Sequence, residues 1–89
     1  MDLLYEKFRN LFDLPGEVIE DLPLLLLVGS GKLYLENHKG IATYQQQKIK
    51  IRIKKGYLII EGQKLEVDEI KTNNLFISGS MEKLFFDLR

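Results

Sequence analysis

A chain of 89 residues, 45% hydrophobic and 29% charged, allows one small core and excludes disorder and collagen-like repeats. The absence of Cys removes disulfides, thiolate zinc sites and cysteine nucleophiles, and a single His leaves no second imidazole for a metal. The 13 basic and 13 acidic groups cancel, so the net cationic field that generic nucleic-acid binding needs is missing.

From Asp2 to Phe12 the apolar residues Leu3, Leu4, Tyr5, Phe8, Leu11 and Phe12 recur at spacings of three and four. That spacing predicts an amphipathic helix, with Asp2 as N-cap and Pro15-Gly16 as its stop. A second short helical turn is expected over Gly16–Asp21, ended by the restriction that Pro23 places on Leu22. An 11-residue helix is marginal alone. Residues 1–22 are therefore expected to pack on a β-rich unit of residues 23–89, the whole forming a single domain.

After Pro23 the period changes. Leu24–Val28, bounded by Gly29-Ser30-Gly31, reads as a buried strand, followed by Leu33–Glu36. Asn37-His38-Lys39-Gly40 reads as a hairpin turn leading to a strand over Ile41–Tyr44, and Gln45-Gln46-Gln47 is a polar link. Lys48–Lys54 alternates strictly between basic residues and Ile. Tyr57–Ile60, Lys64–Val67 and Glu69–Lys71 follow, divided at Glu61-Gly62-Gln63 and at Asp68. Leu75–Ile77 and Lys83–Leu88 close the series, separated by Ser78-Gly79-Ser80. The expected fold is mainly β: a β-meander of about 7–8 short strands curled into a small sandwich or roll, made α+β borderline by the N-terminal helix. No fixed repeat supports a β-solenoid.

Acids near the N-terminus and the lack of a cleavage pattern argue against a signal peptide. The longest apolar run, Leu22–Val28, has seven residues, against about 20 for a spanning helix. A cytoplasmic protein is expected, attached to membranes only peripherally through a partner.

Ile49, Ile51 and Ile53 point one way on their strand, so Lys48, Lys50, Arg52 and Lys54 point the other. Such a row is either a solvated face or an edge guarded by Lys, or else a docking surface for acidic protein or anionic head groups. The strand itself interleaves no aromatics for base stacking, which argues against nucleic acid.

His38 lacks a second nitrogen or sulfur ligand, and Ser30, Ser78 and Ser80 lie in no nucleophile elbow. Glu66, Asp68 and Glu69 lack the ligand order of a calcium loop, and Gly29-Ser30-Gly31 is too short to cradle a phosphate. No catalytic, cofactor-binding or metal residues are assigned, and no cofactor is expected. Phe76, Phe85 and Phe86 are expected mainly in the core, with an exposed aromatic as part of a dimer or partner surface as the alternative.

Leu14-Pro15-x-x-Val18-x-x-Asp21-Leu22-Pro23, then Gly29, then Tyr34-x-Glu36-Asn37-His38-x-Gly40 resembles the YabP/YqfC family of sporulation proteins, its YqfC branch above all. Gly56-x-Leu58-x-Ile60-x-Gly62 and Gly79-x-x-Glu82-x-Leu84-x-Phe86 are similar too, so the likeness covers residues 10–88. The resemblance implies a small non-enzymatic protein of the sporulating cell's cytosol, concerned with spore-envelope (cortex or coat) assembly alongside a membrane protein. It supplies no catalytic or ligand residues. An interaction module is therefore expected, with Lys48, Lys50, Arg52 and Lys54, or the loops holding Asp21, Asn37 and His38, as partner contacts. The rival expectation is a self-assembling scaffold joined through strand edges into homo-oligomers.

Overall fold

Apolar, β-branched segments after Pro23 pair into six antiparallel strands, as a computed structural model shows. It describes residues 22–89 and three isolated upstream positions, Glu6, Lys7 and Asn10, which have helical backbone and are exposed. Apart from those three, the helix expected over residues 2–12, the turn over 16–21 and the candidate contact Asp21 lie outside the described residues. The strands are β1 (Leu24–Val28), β2 (Lys32–Glu36), β3 (Ile41–Tyr44), β4 (Lys48–Ile53), β5 (Gly56–Ile70) and β6 (Asn74–Leu88). Their order across the sheet is β1-β2-β6-β5-β4-β3.

The strands depart from the expected meander in two ways. The three segments from Tyr57 to Lys71 form one 15-residue strand to Ile70, and the two from Leu75 to Leu88 form another of the same length. Six strands, two of them long, replace the seven or eight short ones. Glu61-Gly62-Gln63 and Ser78-Gly79-Ser80 are therefore strand interior, where register shifts at Glu61/Gly62, Gln63/Glu66 and Val67/Glu69 mark bulges. The glycines serve close approach between strands and not turns. A Cβ on Gly62 would collide with the Ser80 carbonyl, and one on Gly79 (φ +132°) would lie 2.6 Å from the Lys64 carbonyl oxygen.

Second, residues 37–40 do not close a hairpin. They join β2 to β3, which lie four places apart in the sheet. Four residues reach about 14 Å at most, so the sheet must curl until its distant parts meet. The β1–β2 hairpin pairs with the first part of β6 (Lys32↔Ser78 to Glu36↔Asn74), and the β3–β4 hairpin with the first part of β5 (Lys48↔Glu61 to Ile53↔Gly56). Because β5 and β6 are antiparallel, the two hairpins sit at opposite ends of one long ribbon, which bends at its bulges.

The side chains turned inward by this bend make the core. Leu33 and Leu35 from β2 share one buried cluster with Ile49, Ile51 and Ile53 from β4, and with Leu58, Ile60, Leu65, Leu75 and Ile77 from the ribbon. Each such Ile or Leu contributes about 1.5–3 kcal/mol by leaving water. The hairpin turns extend the ribbon's pairing: Gly79 and Met81 donate to Gly31 and Ser30, and Gly62 and Leu65 donate to Gln47 and Gln46. Beyond Met81, no described strand pairs with the outer edge of β6.

Candidate functional site

The alternation of β4 resolves as its sequence dictates: Ile49 and Ile51 are fully buried and Ile53 nearly so, while Lys48, Lys50 and Arg52 stand on the opposite face. Arg52 is exposed, Lys48 and Lys50 are half-buried, and Lys54 lies in the turn after the strand. β4 is not an edge strand, since β3 and β5 flank it. Its lysines are thus not needed to guard an open edge.

Register extends the face over two more strands. Glu61, Ile59 and Tyr57 of β5 lie opposite Lys48, Lys50 and Arg52, and Lys83, Phe85 and Asp87 of β6 lie opposite those in turn. Lys50 Nζ sits 4.2 Å from the centroid of the Tyr57 ring, with the Arg89 guanidinium 5.7 Å from the same centroid. Arg52 Nη1 donates to the Ile41 carbonyl at 3.2 Å, which holds the guanidinium against β3. Asp87 is paired with Arg89 at 3.1 Å. The result is a basic patch with an apolar centre: Lys48, Lys50, Arg52, Lys83 and Arg89 against Glu61 and Asp87, around Tyr57, Ile59 and Phe85. Ile59 is only 6% exposed although it lies on this outer side, whereas Phe85 is 42% exposed. Phe76 and Phe86 are similarly open, at 39% and 49%. The expectation that these aromatics fill the core is corrected: alternation turns Phe76 and Phe85 away from it, while Phe86, opposite buried Leu58 on the core side, stays half exposed near the end of β6.

The loop candidates have another character. His38 is 7% exposed, with both ring nitrogens engaged: Nδ1 accepts from the Gly40 N–H (3.0 Å), so Nε2 carries the proton and donates to the Lys71 carbonyl (2.8 Å). Asn37 takes φ +66°, and its backbone N–H donates to the Asn73 carbonyl at 2.6 Å. Its side-chain amide donates to the Leu22 carbonyl at 2.8 Å. Lys39 and Gly40 pair with Arg52 through backbone hydrogen bonds of 2.7 and 2.8 Å. The connector thus clasps the β5–β6 turn to β4, and Asn37 and His38 are turned into the chain rather than toward the basic patch.

Tyr57, Ile59, Lys83 and Arg89 are the residues of this face that sequence reading missed, and Phe85 was expected mainly in the core. The alternation of Tyr57–Ile60 already places Tyr57 and Ile59 on one face, but pairing beside Lys50 depends on register, which no local signal fixes. Among the described residues, no group of three or more His, Asp or Glu side chains could hold a metal ion. No described helix is long and apolar enough to cross a membrane.

Comparison with known proteins covers almost the whole described region. Residues 23–88 match the family model of the YabP family. Over 70 residues the chain is 27% identical to the uncharacterized protein YqfC of Bacillus subtilis (strain 168), a match covering 79% of this chain and 75% of that protein.

Proposed function

The chain belongs to the YabP family, and from that premise we propose that it is a non-enzymatic, cytoplasmic sporulation protein that serves as an interaction module in spore-envelope assembly. It docks on an acidic surface of a protein partner, a membrane protein of the sporulating cell, through the basic patch of β4, β5 and β6. The observation that carries this reading is the composition of the patch. Cations surround exposed Phe85, which matches the pattern of a binding surface with an aromatic anchor and a charged rim. A plain solvated face has no need of the anchor. The same geometry disfavours a single-stranded nucleic acid, because Tyr57 already carries Lys50 over its ring and is not an open stacking platform.

The test is cross-linked recovery of the tagged full chain from sporulating cells. A membrane protein recovered with the wild type and lost with the double variant Lys50→Glu/Arg52→Glu, at unchanged urea midpoint, supports the reading. Equal recovery with both removes the patch from partner binding.

A second reading rests on a different feature. The outer edge of β6 beyond Met81 bears exposed Phe85, Phe86 and Leu88, a combination that favours strand addition by another copy. Light scattering across a concentration series separates the two, since a strict monomer contradicts a scaffold.

A further inference from the structure

One apolar site lies away from the basic patch. A groove of about 620 Å³ is lined by Leu22 and Pro23, by Ile53 with Lys54 and Lys55 after β4, and by Phe86 and Leu88 of β6. Phe86 is 49% and Leu88 64% exposed. A small domain that leaves these two side chains open beside Leu22 and Pro23 presents a contiguous patch, and such patches mark contact surfaces.

Two features of the chain indicate what covers it. The first is the path of the chain. Leu22 and Pro23 are themselves part of the lining, and the Asn37 amide holds the Leu22 carbonyl at 2.8 Å. The 21 preceding residues therefore enter the described structure at the lip of the groove. The second is complementarity. Those residues carry Leu3, Leu4, Phe8, Leu11 and Phe12 at helical spacing, an apolar set that suits an apolar groove. The groove is lined mainly by apolar side chains, together with Lys54 and Lys55.

From these we infer that the groove is the docking site of this chain's own residues 2–12, whose Leu and Phe side chains cover Phe86 and Leu88. The nine residues 13–21 span up to about 30 Å when extended, enough for the segment to fold back beside its own point of entry. Tethering gives it an effective concentration of about millimolar. A second copy or a free ligand must outcompete that to occupy the same groove. The inference does not rest on the reading of the basic patch.

The lack of native Cys makes the test clean. Leu11→Cys and Leu88→Cys are introduced together in the full chain and treated with a short bis-maleimide. A control pairs Leu11→Cys with Glu66→Cys, whose ribbon partner Ser78 lies ten residues from Leu88 along β6. The expected result is an intramolecular bridge to position 88, independent of protein concentration and at least tenfold faster than to position 66. Phe86→Asp should reduce that rate to the control value. Since Leu11→Cys could itself weaken docking, Asn10→Cys provides a second probe from an exposed position of the same segment. Bridging between chains that rises with concentration would assign the groove to a second copy and overturn the inference. Equal rates at 88 and 66 from both probes would overturn it as well.

Discussion

Replacing Gly79 with Ala tests the claim that β5 and β6 run through the segments that look like turns. Gly79 has φ +132°, and an added Cβ would stand 2.6 Å from the Lys64 carbonyl oxygen and 2.8 Å from the Leu65 Cα. Both neighbours are backbone, so neither can rotate away. A non-glycine residue held in such a sparsely populated region costs about 1–3 kcal/mol, and forcing the ribbon apart adds about 1–3 kcal/mol more by analogy with overpacked cores. Gly29 is the control within the same molecule. It also has positive φ, at +57°, but its Cβ would meet nothing within 4 Å, so Gly29→Ala costs only about 1–2 kcal/mol of left-handed strain. The expected gap between the variants is about 2 kcal/mol or more, against a total stability of about 5–13 kcal/mol for a domain of this length. Urea unfolding reads it as a midpoint lower by about 1–2 M for Gly79→Ala than for Gly29→Ala, with slopes unchanged. Equal midpoints would mean that Gly79 sits in an open turn, and the account of the bent ribbon would fail.

Two further substitutions probe the clasps around that ribbon. His38→Ala leaves the Lys71 carbonyl and the Gly40 N–H without their ring partner. It should cost about 2–3 kcal/mol and speed hydrogen exchange at Gly40, whereas native-like exchange there would deny His38 its clasping role. Tyr44→Phe removes the phenol oxygen that accepts from the Val67 N–H at 2.8 Å. A loss of about 0.5–1.5 kcal/mol is expected, and a loss of zero with unaltered Val67 exchange would show that the bond contributes nothing.

Local chemistry made the first four strands readable. Leu24–Val28 and Ile41–Tyr44 end where glycine or glutamine interrupts the apolar run, and both limits match the observed strands. The strict alternation at Lys48–Lys54 correctly separated buried Ile from outward Lys and Arg. The long strands were not legible because Gly62 and Gly79 carry two opposite meanings. A glycine either ends a strand at a turn or lets two backbones approach within one, and only the partner strand decides which. Topology escaped for a related reason. Asn37-His38-Lys39-Gly40 has the composition of a hairpin turn, but its hydrogen bonds go to Lys71, Asn73 and Arg52, distant in sequence. The basic row of the candidate surface was visible in the sequence. Its aromatic centre was not, because Tyr57 and Phe85 join it only through cross-strand register.

The strand order also governs how the molecule is made. β3, β4, β5 and β6 are sequential neighbours and can pair as each emerges, but β2 finds its place only against β6, with Lys32 waiting for Ser78 and Glu36 for Asn74. Pairings this distant in sequence close slowly, since the chain between must first be gathered in. During synthesis at about 5–20 residues per second, the Leu-rich β1–β2 hairpin therefore stands in water for several seconds with no sheet to join. Partly made chains on neighbouring ribosomes would meet through that hairpin, and the arrival of β6 is the event that withdraws it.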